Sequence, residues 1–263
     1  MALSERRPRT TAHGPSGLER WTYPDRATSA EAPVTFSITV HDPTTGQLAV
    51  GAVTAEPAVG KLVSHARRRA GAVASQAAMN PYLGLDGLEL LEAGRAAKEA
   101  LDLLLRGDPG REARQVGVVD AEGRSAAWTG SACPDWSGHL TLDHVSVQGN
   151  RLVGPQTLDA TLQGYLDADG PELARRVYAA LVAGEKTGAD TDGALSATIL
   201  VVDREEYPLW DVRVDHHDAP VQELDRLLDV FEEQLLPTVR RLSTRNDPMG
   251  SMTRTLLEPG TAS

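Results

Sequence analysis

Apolar and polar positions recur along this chain with two different periods, and the switch between them marks out its elements. Thr35–Val40 and Leu48–Thr54 are runs of apolar and β-branched residues separated by His41-Asp42-Pro43-Thr44-Thr45-Gly46-Gln47. Proline and glycine in that spacer favour a turn, so the pair predicts a β-hairpin. Gly71–Gln76 predicts a further short strand ending towards Asn80-Pro81. Leu88 and Leu91 then share a helical face, with capping-box spacing between Asp86 and Glu89 and Gly94 at the C-terminal end. Leu101, Leu104 and Leu105 predict a second helix that stops before Gly107 and Pro109.

The same order then repeats. Gln115–Asp120 and Arg124–Thr129 flank Ala121-Glu122-Gly123 as a second hairpin, and His144–Gln148 predicts one more strand. Leu158, Leu162, Tyr165 and Leu166 line one helix, and Leu173, Val177 and Leu181 line the next, after Pro171. Leu195–Val202 is a nearly continuous apolar run, as a strand covered on both faces should be, and Tyr207–Val214 pairs back against it. A final helix over about 219–241 carries Leu224, Leu227, Leu228, Phe231 and Leu235, with Pro237 set to end or kink it. Consecutive hairpins imply antiparallel sheets, and paired amphipathic helices imply layers that cover them. The fold class expected is α+β, a four-layer αββα sandwich of two antiparallel sheets between two helical layers.

Residues 1–33 and 244–263 lack this periodicity and are expected as a disordered leader and a flexible tail around a single domain at 34–243. Aromatic residues make up only 4% of the chain, so its core must be built from Ala, Val and Leu. A net charge of −11 argues against non-specific nucleic-acid binding, and Arg67-Arg68-Arg69 reads as a solvated face. No apolar run approaches a membrane span, and the first residues lack the apolar core of a secretory signal. A cytoplasmic location is expected. One cysteine, Cys133, excludes an internal disulfide and reads as a small buried hydrophobe, although His139 nearby would allow a thiol–imidazole pair. Asp215-His216-His217-Asp218 places neighbours on opposite faces of an extended segment, so no metal site is expected.

Candidate chemistry gathers at strand ends. Thr35 opens the first strand of the folded part and offers a hydroxyl nucleophile. A threonine hydroxyl needs a base to take its proton, and a free α-amine on the same residue can serve. Thirty-four residues precede Thr35, so that amine is held in a peptide bond unless proteolysis after Val34, or translation starting at residue 34, frees it. Ser146-Val147-Gln148-Gly149-Asn150 ends in an amide-rich corner, where Gln148 and Asn150 are candidate donors to an oxyanion and Gly149 admits close backbone approach. Gln76 and Asn80 bracket another strand end, and Asp135 is a further candidate for a neighbouring substrate contact.

Several of these segments together resemble the bacterial domain-of-unknown-function family number 1028, a branch similar to the N-terminal nucleophile (Ntn) hydrolases. The resemblance is carried by Thr35-Phe36-Ser37-Ile38, Gln76 with Asn80-Pro81-x-x-Gly84, Gln115–Asp120, Thr129-Gly130-x-x-Cys133, Trp136-x-Gly138-His139 and Ser146–Asn150. It implies an Ntn-hydrolase-like αββα sandwich with Thr35 on a central strand, attacking an amide carbonyl with its own α-amine as base. The function expected is hydrolysis of a small, non-peptide amide C–N bond through an acyl-enzyme, without a cofactor. The alternative is a non-catalytic small-ligand-binding protein that keeps the fold. Expected partners are a small-molecule substrate and a second copy of the chain in a homodimer.

Overall fold

A computed structural model describes residues 19–23, 34–133, 136–189 and 193–257. In chain order its strands and helices are β1 (Glu19–Tyr23), β2 (Thr35–His41), β3 (Leu48–Thr54), α1 (Val59–Leu62), β4 (Ser64–Arg67), β5 (Gly71–Ala77), α2 (Pro81–Glu92) and α3 (Ala97–Gly107). There follow β6 (Arg114–Asp120), β7 (Ser125–Thr129), β8 (Trp136–Leu142), β9 (Val145–Leu152), α4 (Gln156–Leu166), α5 (Leu173–Glu185), β10 (Ser196–Val202) and β11 (Trp210–Val214). The described chain closes with α6 (Pro220–Val230), a π-helical turn at Phe231–Leu235, α7 (Leu236–Val239) and α8 (Gly250–Leu257).

Two antiparallel sheets result. One has seven strands in the order β1-β8-β9-β2-β3-β10-β11, and the other has four in the order β4-β5-β6-β7. The sheets pack face to face through β2 on β5 and β6, and β9 on β6. Helices α2 and α3 cover the outer face of the small sheet, while α4, α5 and α6 cover the large one. The alternation along β2 explains this layering. Phe36, Ile38 and Val40 join the cluster under α4 and α5, while Thr35, Ser37 and Thr39 share the opposite face. Between the sheets, Leu48, Val50, Ala52, Ala72 and Ala74 make an apolar half. The other half is polar, and that half builds the site described below.

The hairpins and covering helices appear where the hydrophobic periods put them, but β8 corresponds to no expected strand, and four further segments differ. Helix α2 starts at Pro81 rather than near Asp86, because Asn80 caps it through Oδ1, which accepts from the Tyr82 N–H at 3.2 Å, and Pro81 tolerates the first turn. The short α1 and β4 lie in a segment with no clear period. The expected disordered leader contains β1, whose backbone pairs with β8. Its Trp, Thr and Tyr suit a strand, and it covers an edge that β8 would otherwise expose. The expected tail contains α8, tied back through Met252 N–H to the Arg241 carbonyl at 3.2 Å and by Arg254 on Asp247 at 3.0 Å. Pro237 has no N–H for the helical ladder, and the π-turn immediately before α7 absorbs the mismatch.

At the end of the sandwich where β2 finishes, His41 on β2 and His144 before β9 stack at 5.2 Å between ring centroids, with their Nδ1 atoms 2.9 Å apart. One ring must donate and the other accept, so protonating both would set two donors against each other. Burial, then the neighbouring His144, holds the His41 pKa below its ordinary value, against Asp42 and Asp120. Burial also lowers His65, and it pushes His139 down to about 4. These histidines are protonated more readily in the unfolded chain than in the fold. Their contribution is therefore complete above about pH 6.5 and is lost as the pH falls from there through the folded values. Urea unfolding midpoints are expected to fall between pH 7.5 and pH 5, and a midpoint constant over that range would contradict this account.

Candidate functional site

Strand register brings the candidate residues together from distant parts of the chain. Thr35 on β2 pairs with Asn150 on β9 and with Thr54 on β3. Across the sheet interface, Gln76 on β5 lies beside Gln115 on β6. Thr35, Thr54, Gln76 and Asn150 form the polar floor of a cavity of about 280 Å³. All four are buried. Apart from Glu56 its wall is apolar, with Val59 and Leu62 from α1, Pro57, Val63, and the Ala77–Met79 segment after β5. Ala77 holds a left-handed φ of 67°, an uncommon conformation for alanine, directly after Gln76. The turn it makes leaves the Ala78 N–H on the Ala113 carbonyl at 3.1 Å, and the Ala78 carbonyl accepts from the Arg114 guanidinium.

The Thr35 hydroxyl has a defined proton direction. Thr54 Oγ1 donates its single proton to the Val34 carbonyl at 2.7 Å. It must therefore accept from Thr35 Oγ1, 2.9 Å away. Val34 is buried in the core, and its carbonyl also accepts from the Ala55 N–H at 3.2 Å. With the peptide bond to Val34 intact, the hydroxyl relay ends on a carbonyl, which is not a base at neutral pH.

Behind the floor runs a chain of buried hydroxyl and amide groups that spans both sheets. Ser146 donates to Gln148 Oε1 at 2.8 Å, and Gln148 Nε2 donates to Ser37 Oγ at 2.6 Å. Ser37 in turn donates to Gln76 Oε1 at 2.6 Å. Gln76 Nε2 donates to Gln115 Oε1 at 2.8 Å, and Asn150 Nδ2 donates to the same oxygen at 3.0 Å. Gln115 Nε2 sits within 3.0 Å of the Gly138 and Gly149 carbonyls and of Thr129 Oγ1, which contacts His139 Nδ1 at 2.9 Å. Each amide is thus oriented by the next. Gln115 holds the two amides of the cavity floor at once, and sequence reading missed its role because a single Gln in an apolar strand carries no signal of its own.

The structure separates the expected site residues. Thr35, Gln76 and Asn150 meet at the cavity. Gln148 lies fully buried behind it, both ends of its amide engaged. Gly149 faces α4: a Cβ there would come within 2.6 Å of Leu152 and 3.1 Å of Leu158, so packing under that helix requires the glycine. Asn80 caps α2 and lines a different groove, between α2 and α3. Asp135 lies outside the described residues. Thr54 and Glu56, which close the cavity, had no sequence signal beyond their strand. Cys133 donates to the Arg114 carbonyl at 3.3 Å, and burial pushes its thiol up to about 11, so it is held as an inert thiol. Its imidazole neighbour in sequence, His139, is engaged with Thr129 instead. Asp215, His216, His217 and Asp218 are exposed, and His217 Nδ1 accepts from the Ala219 N–H at 3.0 Å. Among the described residues, no group of three or more His, Cys, Asp or Glu could hold a metal, and no helix is long and apolar enough to cross a membrane.

Comparison with known proteins gives a family and a solved fold. The family of unknown function DUF1028 matches residues 35–224. The crystal structure of protein SPO2555 from Silicibacter pomeroyi, assigned to the same family, superposes with a TM-score of 0.76 at 32% sequence identity, covering 82% of this chain and 98% of that one. None of the curated proteins matches the sequence.

Proposed function

The chain belongs to the DUF1028 family, and on that premise we propose that it is an Ntn-type amidohydrolase of small, non-peptide C–N bonds, with Thr35 as its nucleophile. The observation that carries this reading is the Thr35 hydroxyl on the polar floor of an otherwise apolar cavity, beside the amide of Asn150. Once the Thr35 amine is free, it takes the hydroxyl proton as Oγ attacks the substrate carbonyl. The oxyanion meets Asn150 Nδ2, whose second hydrogen has no acceptor among the described residues. The leaving amine collects the proton, and water then cleaves the ester to release the acid and restore Thr35. The cavity floor supplies hydroxyls and neutral amides, which suit an uncharged carbonyl carbon.

A second reading is favoured by one feature. Val34 is buried, and its carbonyl accepts from Thr54 Oγ1 and Ala55 N. In the intact chain the Thr35 hydroxyl contacts no base among the described residues, only Thr54 and through it the Val34 carbonyl, which suits a binding protein that holds small amides without turnover. Two purified proteins separate the readings: the full chain with its N-terminus sequenced, and a chain whose first residue is Thr35. Hydrolysis of small amides is expected from the second and not from a full chain that keeps Val34. Equal or greater activity of the uncleaved chain would require a side-chain base and end the free-amine mechanism.

A further inference from the structure

Among the described residues, the cavity wall carries one ionisable residue. Glu56 follows β3 by two positions and is exposed at the cavity mouth, where Leu62 and Met79 are also exposed. Its backbone is fixed: the Glu56 N–H points to Thr54 Oγ1 at 3.4 Å, and its carbonyl accepts from Ser196 Oγ at 2.6 Å. Among the described residues its carboxylate has no ion-pair or hydrogen-bond partner. The cations on flanking elements are engaged elsewhere. Arg114 pairs with Asp108 at 3.0 Å and Arg213 with Asp211 at 2.6 Å, while Lys61 of α1 lies outside the lining. Among the described residues, no Lys, Arg or His lines the cavity to receive an anion, and the chain as a whole carries −11.

We propose that the cavity takes a small amide with an apolar body and a terminal ammonium group, and that Glu56 is the residue that selects it. The amide end would lie on the floor of Thr35, Thr54, Gln76 and Asn150, the methylenes against Val59, Leu62 and Met79, and the ammonium at the mouth against Glu56. The net negative field of the protein draws cations towards that mouth, and an unpaired carboxylate beside apolar wall is less screened than one in open solvent. A carboxylate-bearing amide meets the opposite: no cation, and repulsion from Glu56. This specificity rests on the amidohydrolase reading for the orientation of the amide, but recognition of the charge does not depend on turnover.

Three probes of equal length isolate the charge: 6-aminohexanamide, heptanamide and adipic acid monoamide, titrated by calorimetry into the full-length chain. The ammonium amide is expected to bind roughly fivefold or more tightly than the neutral one, the upper end of what an accessible ion pair supplies, and the carboxylate amide is expected not to bind measurably. In Glu56→Gln the difference between the first two should collapse to within about twofold, and rising salt should weaken only the ammonium probe. Equal binding of the first two probes, a preference that survives Glu56→Gln, or no binding of any probe would overturn the proposal. Hydrolysis of bound 6-aminohexanamide is followed separately in the chain beginning at Thr35. Charge-selective binding without hydrolysis would sink the amidohydrolase reading and leave the selection by Glu56 standing.

Discussion

Thr35→Ala is expected to lower amide hydrolysis by at least about 10⁴-fold in the chain that begins at residue 35, which is the scale on which loss of a nucleophile acts. Thr35→Ser should keep part of the activity, because it retains the hydroxyl and loses only a methyl group. The argument for a clean result lies in the packing. The hydroxyl makes one side-chain hydrogen bond, to Thr54 at 2.9 Å, and the neighbouring Phe36 and Ile38 that bury the strand point to the opposite face. Losing that bond costs about 1 kcal/mol, a shift of only a few degrees in melting temperature for a domain of this size. Circular dichroism and turnover measured on the same preparation make the test. A folded Thr35→Ala protein that still turns over amide would remove Thr35 from the chemistry.

The largest effect on stability is expected at a residue that touches no substrate. Gln115→Leu should destabilise the fold by roughly 3–5 kcal/mol, because it deprives several buried groups of their partner at once. Gln76 Nε2 and Asn150 Nδ2 lose their shared acceptor, and the Gly138 and Gly149 carbonyls lose a donor from the facing sheet. Leucine matches the volume but satisfies none of them. Against a total stability of about 5–15 kcal/mol the loss is a large share, visible as a lower urea midpoint. It should also loosen Gln76 and Asn150 at the cavity floor. A change of less than about 1 kcal/mol would mean that water or a rearranged network replaces the missing amide.

Gln115 also shows where reading the chain stops. Period-two runs such as Thr35–Val40, continuous apolar runs such as Leu195–Val202 and period-3.6 runs such as Leu101, Leu104 and Leu105 record which faces of an element are buried, so strands, helices and their antiparallel order are legible locally. Turn chemistry at Pro43–Gly46 and Gly123 adds the hairpins. Short or weakly patterned pieces are not legible: α1, β4 and β1 acquire their structure from the edges and cavities they cover. The motif Gln148-Gly149-Asn150 locates the right corner of the molecule, but its three residues face three different environments. Alternation sends Asn150 to the cavity and Gln148 to the seam behind it, while Gly149 lies under α4.

The sequence by itself determined the layers, the strand that presents Thr35, and the problem posed by its acylated amine. Only the tertiary structure decided which polar residues share a site, because that depends on the register of β2 against β9 and of one sheet against the other. Those alignments are fixed by packing between residues far apart in the chain, Thr35 with Asn150 across β2 and β9 and Ser37 with Gln76 between the sheets, and no local pattern in the chain records them.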